Sequence, residues 1–174
     1  MSSYVQSDFS HLSTGEAWRA RAKELDALIS TEEPAVTALA NGAAYLWAHL
    51  DEINWCGFYL YDGDKLVLGP FIGKPACTLI AMGKGVCGSS AAKRETIVVE
   101  DVHLFPGHIA CDDASQSEIV IPLLAGDKLL GVLDIDAPVK ARFDQATAAS
   151  LEVIAALIAS KLATIKANTS LFKL

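Results

Sequence analysis

Asn54-Trp55-Cys56-Gly57-Phe58-Tyr59-Leu60-Tyr61, then Asp62-Gly63-Asp64, then Lys65-Leu66-Val67-Leu68-Gly69-Pro70-Phe71, is the stretch that decides the fold. Two aromatic and aliphatic runs flank a short polar turn whose glycine can take a positive φ, the pattern of an antiparallel hairpin. Residues 118–125 and 128–136 repeat that pattern around Gly126-Asp127. Between the hairpins, residues 76–82 and 96–99 read as shorter strands and 85–93 as a short helix. Residues 101–117, with Pro106 and Gly107, read as a long loop of the kind that often carries function.

Helices are expected on both sides of this β region. Ser13-Thr14-Gly15-Glu16 has the spacing of a capping box and opens a helix with Trp18, Ala22, Leu25 and Ile29 on one stripe. A second helix starts at Pro34 and runs to about Leu50, with Val36, Leu39, Ala43, Trp47 and Leu50 inward. The last begins near Asp144 and runs past Leu162, with Leu151, Ile154, Ile158, Leu162 and Ile165 on its apolar side. Helices at the ends and hairpins between them predict an α+β domain with an antiparallel sheet, the terminal helices on one face. The loops and the short central helix then cover the other face. No repeat or linker divides residues 1–174, which read as one domain.

Alternation along the strands sorts the side chains. Cys56, Phe58 and Leu60 share one face, the face of a core. Trp55, Gly57, Tyr59 and Tyr61 share the opposite one, where Trp55 is either a core residue or one wall of a pocket. Near the end of the last strand Asp134 and Asp136 point to one side with Leu130 and Val132, and Glu118 starts the neighbouring strand. Exposed carboxylates here would simply be solvated. Buried ones need a cation or protons, and crowding raises the pKa of at least one of them.

The chain carries a net charge of −7 with a pI near 5.0, which argues against a nucleic-acid surface. Residues 1–14 are polar and no secretory leader is expected, so the chain reads as cytoplasmic, where structural disulfides are uncommon. That setting makes Cys77, Cys87 and Cys111 informative. Each lies beside glycine or proline in turn-like sequence, unlike the core-type Cys56. Thiol chemistry and metal binding are the two explanations. A zinc site from Cys77, Cys87, His108 and Cys111 lacks the usual two close ligand pairs, and the set is read as metal-free. Gly83-Lys84-Gly85-Val86-Cys87-Gly88 lacks the spacing of a phosphate loop. Cys87 near a helix start either has its pKa lowered by the helix dipole or packs beneath that helix.

Taken in order, Asn54-Trp55-Cys56-Gly57-Phe58-Tyr59, Ala76-Cys77, Gly83 to Gly88, Asp101-Val102, Phe105-Pro106-Gly107-His108-Ile109-Ala110-Cys111-Asp112, Ser117 to Val120 and Leu133-Asp134-Ile135-Asp136 resemble the free methionine-R-sulfoxide reductases, which are GAF-domain enzymes. The Pro-Gly-His-Ile-Ala-Cys run is the specific part. The resemblance implies a six-stranded antiparallel GAF sheet with helices on one side and a closed ligand pocket on the other. It implies reduction of free L-methionine-R-sulfoxide through a cysteine sulfenic acid and an intramolecular disulfide. It also implies no bound cofactor, with thioredoxin and NADPH as the external reductant, and a homodimer. Carried onto matching positions, Cys111 is the nucleophile, Cys77 the resolving thiol and Cys87 a second participant. Trp55 contacts the methyl region, while Glu118, Asp134 and Asp136 meet the polar end. Of these, Glu118 is expected nearest the sulfoxide oxygen and the two aspartates at the ammonium. A GAF module that binds a small ligand without turning it over is the alternative, and it leaves three loop cysteines without a task.

Overall fold

The computed structural model describes residues 4–107 and 112–165. Two helices, α1 (Thr14–Leu28) and α2 (Ala35–His49), precede strands β1 (Trp55–Tyr61), β2 (Lys65–Gly73) and β3 (Leu79–Ala81). Helix α3 (Gly85–Lys93), strand β4 (Ile97–Val99), a 3-10 turn (Val102–Leu104), the hairpin β5 (Ser117–Ala125) and β6 (Lys128–Ala137), and helix α4 (Gln145–Thr164) follow. The expected capping box is present: the Glu16 carboxylate accepts from the Ser13 N–H and hydroxyl. Asp144 caps α4 by accepting from the Thr147 N–H at 2.7 Å. In the first hairpin the Asp62 carboxylate accepts from the Asp64 and Lys65 N–H groups, and Gly63 takes φ 106°.

The strands form one antiparallel sheet in the order β3-β2-β1-β6-β5-β4. The expected α+β architecture holds, as does the division into faces. On one face Cys56, Phe58, Ile119, Ile121, Leu133 and Ile135 pack with Leu25, Leu39, Leu46, Ile154 and Ile158 from α1, α2 and α4. On the other, Trp55, Tyr59, Val120 and Val132 pack under α3 and the loops with Val86, Cys87, Ile80 and Val102. Helix α4 is long and apolar enough to cross a bilayer by length and composition. Its stripe of Leu151, Ile154, Ala155, Ile158 and Leu162 is buried against the sheet, which makes it a core helix.

Two side chains depart from the sequence reading. Trp47 is exposed, and α2 buries Ala38, Leu39, Gly42, Ala43, Tyr45 and Leu46 instead. Stepping by four residues drifts about 40° per step on a helix of 3.6 residues per turn, so 39-43-47 walks out of the core while 39-42-46 stays in it. Leu130 does not share a face with Asp134. The β5–β6 register passes from Leu123 opposite Gly131 to Leu124 opposite Leu129, leaving Leu130 as an extra residue on β6. That bulge turns Leu130 into the helix-side core. Strand β3 is also shorter than 76–82, because residues 74–78 form the loop that carries Cys77.

Cys56 is fully buried in the helix-side core, and burial pushes its thiol well above the ordinary range. Cys56→Ser is expected to cost about 1–3 kcal/mol, by placing a hydroxyl among apolar side chains, while leaving any pocket chemistry intact. Urea unfolding alongside a turnover assay checks this; lost activity with unchanged stability would contradict it.

Candidate active site

Strand register assembles the site from residues far apart in sequence. Glu118 on β5 lies opposite Asp136 on β6, and Asp136 lies opposite Trp55 on β1. One step along, Asp134 sits between Val120 and Gly57. These side chains line one pocket with Tyr59, Ala76, Ile80, Ser115 and the residues 84–87 that begin α3. Alternation predicts Asp134 and Asp136 on one side and Trp55 opposite the core face, with Glu118 starting the neighbouring strand; the structure brings all four together with Cys87.

Trp55 is the pocket wall. Its ring stacks on Phe71 at 5.2 Å and on Tyr59 at 5.9 Å, and its indole N–H donates to the Lys74 carbonyl at 3.1 Å. Gly57 makes that stack possible. A Cβ there would come within 2.3 Å of the Phe71 Cβ and 2.8 Å of the Trp55 ring.

Glu118 and Asp134 are buried and Asp136 is half-buried. Glu118 is 5% exposed and Asp134 7%. Removal from water raises all three carboxyls well above their usual range, and mutual repulsion adds to it. Glu118 is pushed further by Asp136, Asp134 by Glu118, and Asp136 by Asp134 and then Asp112. Asp134 and Glu118 are hydrogen-bonded to each other, an arrangement that lowers Glu118 and raises Asp134. Asp134 Oδ1 finds no hydrogen-bond partner among the described residues. A buried, unsatisfied carboxyl oxygen beside two more carboxyls is a site built for a cation or a donor from outside.

Cys87 faces this cluster from the first turn of α3. Its thiol donates to Asp134, and burial, then Asp134 and Glu118, push it well above the ordinary thiol range. The helix dipole is outweighed, so a dipole-lowered Cys87 is not what the fold builds. Ligand atoms of Cys87, Glu118 and Asp134 lie within 4.8 Å of one another, a spacing that three metal ligands share. All three are held toward their protonated forms, so a metal would have to displace their protons to bind. Cys77 is half-buried in the β2–β3 loop and packs on the pocket-side core. Cys111 and His108 lie outside the described residues.

Sequence reading missed Tyr59 as a lining residue, although alternation had placed it beside Trp55. It also missed Lys84, Gly85 and Ser115, for which no local signal exists. Helix α3 begins at Gly85 with Lys84 in the N-cap position, a side chain with no acceptor, and no side-chain cap forms. Residues 84–87, which begin this helix, line one end of the pocket.

The raised carboxyls make stability depend on pH. The folded state holds protons that the unfolded chain releases above about pH 4. This contribution is complete below that range and is lost as pH climbs through the raised folded values. Asp134→Asn removes one buried acid from the repulsion. The ligand-free variant is expected to exceed wild type in stability at pH 8, by on the order of 2 kcal/mol, or roughly 4–8 °C in Tm. The gap should close toward pH 5. Thermal melts at both pH values check it, and an equal gap at each would contradict it.

A GAF domain model matches residues 33–162. The chain is 47% identical over 142 residues to the free methionine-R-sulfoxide reductase of Escherichia coli K12, covering 82% of this chain and 86% of that protein. It is 45% identical over 131 residues to the Saccharomyces cerevisiae protein of the same name, covering 71% and 73%. The solved free methionine-R-sulfoxide reductase of Neisseria meningitidis in complex with its substrate superposes with a TM-score of 0.83 at 40% identity, covering 90% of this chain and 95% of that one. A pocket with an indole wall and buried acids, on a sheet of this order and in a chain this similar, places the protein in the GAF-domain family of free methionine-R-sulfoxide reductases.

Proposed function

We propose that this chain reduces free L-methionine-R-sulfoxide to methionine with its own cysteines in a cytoplasmic setting. The observation that carries the reading is the pocket itself: three crowded carboxyls, two buried and one half-buried and all held toward protonation, beside an aromatic wall. A free amino acid brings an ammonium group that a buried carboxylate can hold. A peptide offers a neutral amide there and a chain that must leave the cavity. Asp136 takes the ammonium, and the uncapped start of α3 with Lys84 suits the α-carboxylate. The indole of Trp55 receives the methyl group at sulfur.

The chemistry requires a thiolate and an acid. The Cys111 thiolate attacks the sulfoxide sulfur, and the oxygen must gain a proton to leave it. The Glu118–Asp134 pair supplies that proton, because both acids are held toward their protonated forms and bonded to each other. This modifies the sequence-based division, in which Glu118 acted alone and Asp134 joined Asp136. The cysteine–substrate sulfur bond made in the attack breaks as the hydroxyl passes to the Cys111 sulfur, which gives methionine and a Cys111 sulfenic acid. The Cys77 thiol then displaces the hydroxyl to give a disulfide and water, and thioredoxin reduces the disulfide by exchange, with NADPH as the upstream electron source. Cys87, protonated and bonded to Asp134, starts as a hydrogen-bond donor to the acid pair and takes part in thiol exchange only after losing that proton.

Single-turnover chemistry tests this reading. Pre-reduced protein mixed with excess sulfoxide and no reductant should release about one methionine per chain and lose two titratable thiols. Methionine release without thiol loss would overturn the mechanism, and no release at all would overturn the function.

A further inference from the structure

Beside the pocket lies a polar network that the reaction above does not use. Lys74 Nζ donates to Asp112 Oδ1 at 2.8 Å, and the Ala114 N–H donates to the same oxygen at 2.9 Å. Asn54 Nδ2 donates to Asp112 Oδ2 at 3.1 Å and to the Ser115 hydroxyl at 3.0 Å. The Lys74 bond, the Ala114 N–H and Asn54 together draw the Asp112 carboxyl down to about 2, so it is ionised wherever the protein works. Asp112 is buried while the Lys74 side chain is two-thirds exposed.

These bonds join segments from different parts of the sheet. Lys74 follows β2 and stands three residues before Cys77; Asp112 precedes β5 and directly follows Cys111 in the chain. The first residues of the central strand region hold both ends. Asn54 holds Asp112 and Ser115, while the Trp55 indole holds the Lys74 carbonyl. Asn54 is itself fixed, because its N–H donates to the Asp136 carbonyl at 2.9 Å.

We propose that Lys74 and Asp112 are positioning residues, an ionic clasp anchored by Asn54 that holds the Cys77 loop to the segment following Cys111 and so sets the rate and stability of the disulfide between those cysteines. The inference rests on the cysteine roles proposed above. Disulfide formation from a sulfenic acid and a thiol is an intramolecular encounter, and its rate scales with how well the two segments are held together. Substrate reduction does not need the Cys77 loop in the same way. The clasp therefore separates the second chemical step from the first.

Redox titration in glutathione buffers, with peptide mapping of the disulfide, tests the clasp on the intact chain without turnover. Relative to wild type, Lys74→Met should lower the effective concentration of the Cys77–Cys111 pair by about 3–10-fold. Asp112→Asn should lower it at least as much, and Lys74→Arg should restore most of it. High salt should narrow the gap between wild type and Lys74→Met, since the lysine is exposed. In rapid-quench experiments Lys74→Met, which leaves the Asp112 charge beside Asp136 in place, should release the first methionine within about threefold of the wild-type rate and form the disulfide more slowly. Unchanged effective concentrations in Lys74→Met and Asp112→Asn overturn the clasp, as does equal slowing of methionine release and disulfide formation in Lys74→Met. A wild type that forms no Cys77–Cys111 disulfide in oxidised glutathione overturns the cysteine assignment beneath it instead.

Discussion

Cys111→Ser is expected to abolish methionine formation even in a single turnover, a loss of at least about 10⁴-fold, as when the nucleophile of a covalent mechanism is removed. A serine hydroxyl is not ionised near neutral pH and cannot replace a thiolate at sulfur. Cys77→Ser is expected to behave differently, releasing the first methionine and then failing to cycle with thioredoxin, because the sulfenic acid has lost its resolving partner. Cys87→Ser should be intermediate, since its thiol supports the acid pair. Quenched-flow quantitation of methionine separates the three. A Cys111→Ser protein with the wild-type first-turnover yield would remove Cys111 from the nucleophile role.

The acidic cluster should split by kinetic parameter. Glu118→Gln and Asp134→Asn each remove one half of the hydrogen-bonded acid pair, and kcat is expected to fall by about 10²–10⁴-fold, the usual cost of a lost general acid. Asp136→Asn removes the partner of a buried ammonium, with a loss on the order of 2–5 kcal/mol, so KM should rise about 30-fold or more. The pH dependence follows from the same burial. Asp136 must ionise to hold the ammonium, so kcat/KM rises with pH through its raised value. The acid pair must keep its proton, so kcat falls once that pair is titrated. Steady-state profiles of the three variants check this, and wild-type KM and kcat in all of them would reduce the cluster to packing.

Much of this site could be read from the chain because β-strands expose their logic locally. Period two put Cys56 with the core and Trp55 opposite it. It put Asp134 and Asp136 on one side, and both turn glycines marked the hairpins. Where local periodicity was the wrong ruler, the reading failed. Trp47 drifted off its helical stripe, and Leu130 was turned over by a bulge that no residue type announces. The contacts that give the site its chemistry were hidden for a different reason. Cys87 meets Asp134, and Lys74 meets Asp112, only because α3 and two loops are folded over one sheet face, and neither pair is linked by any sequence spacing.

The pocket proposed here takes a free amino acid bearing an R-sulfoxide. Its most direct test is NADPH oxidation, coupled through thioredoxin and its reductase, with free methionine-R-sulfoxide, the free S epimer and a peptide-bound R-sulfoxide compared at equal concentration. Turnover of the free R epimer alone, with the other two at background, is the predicted result. Comparable turnover of the peptide-bound sulfoxide, or none of any of them, would contradict it.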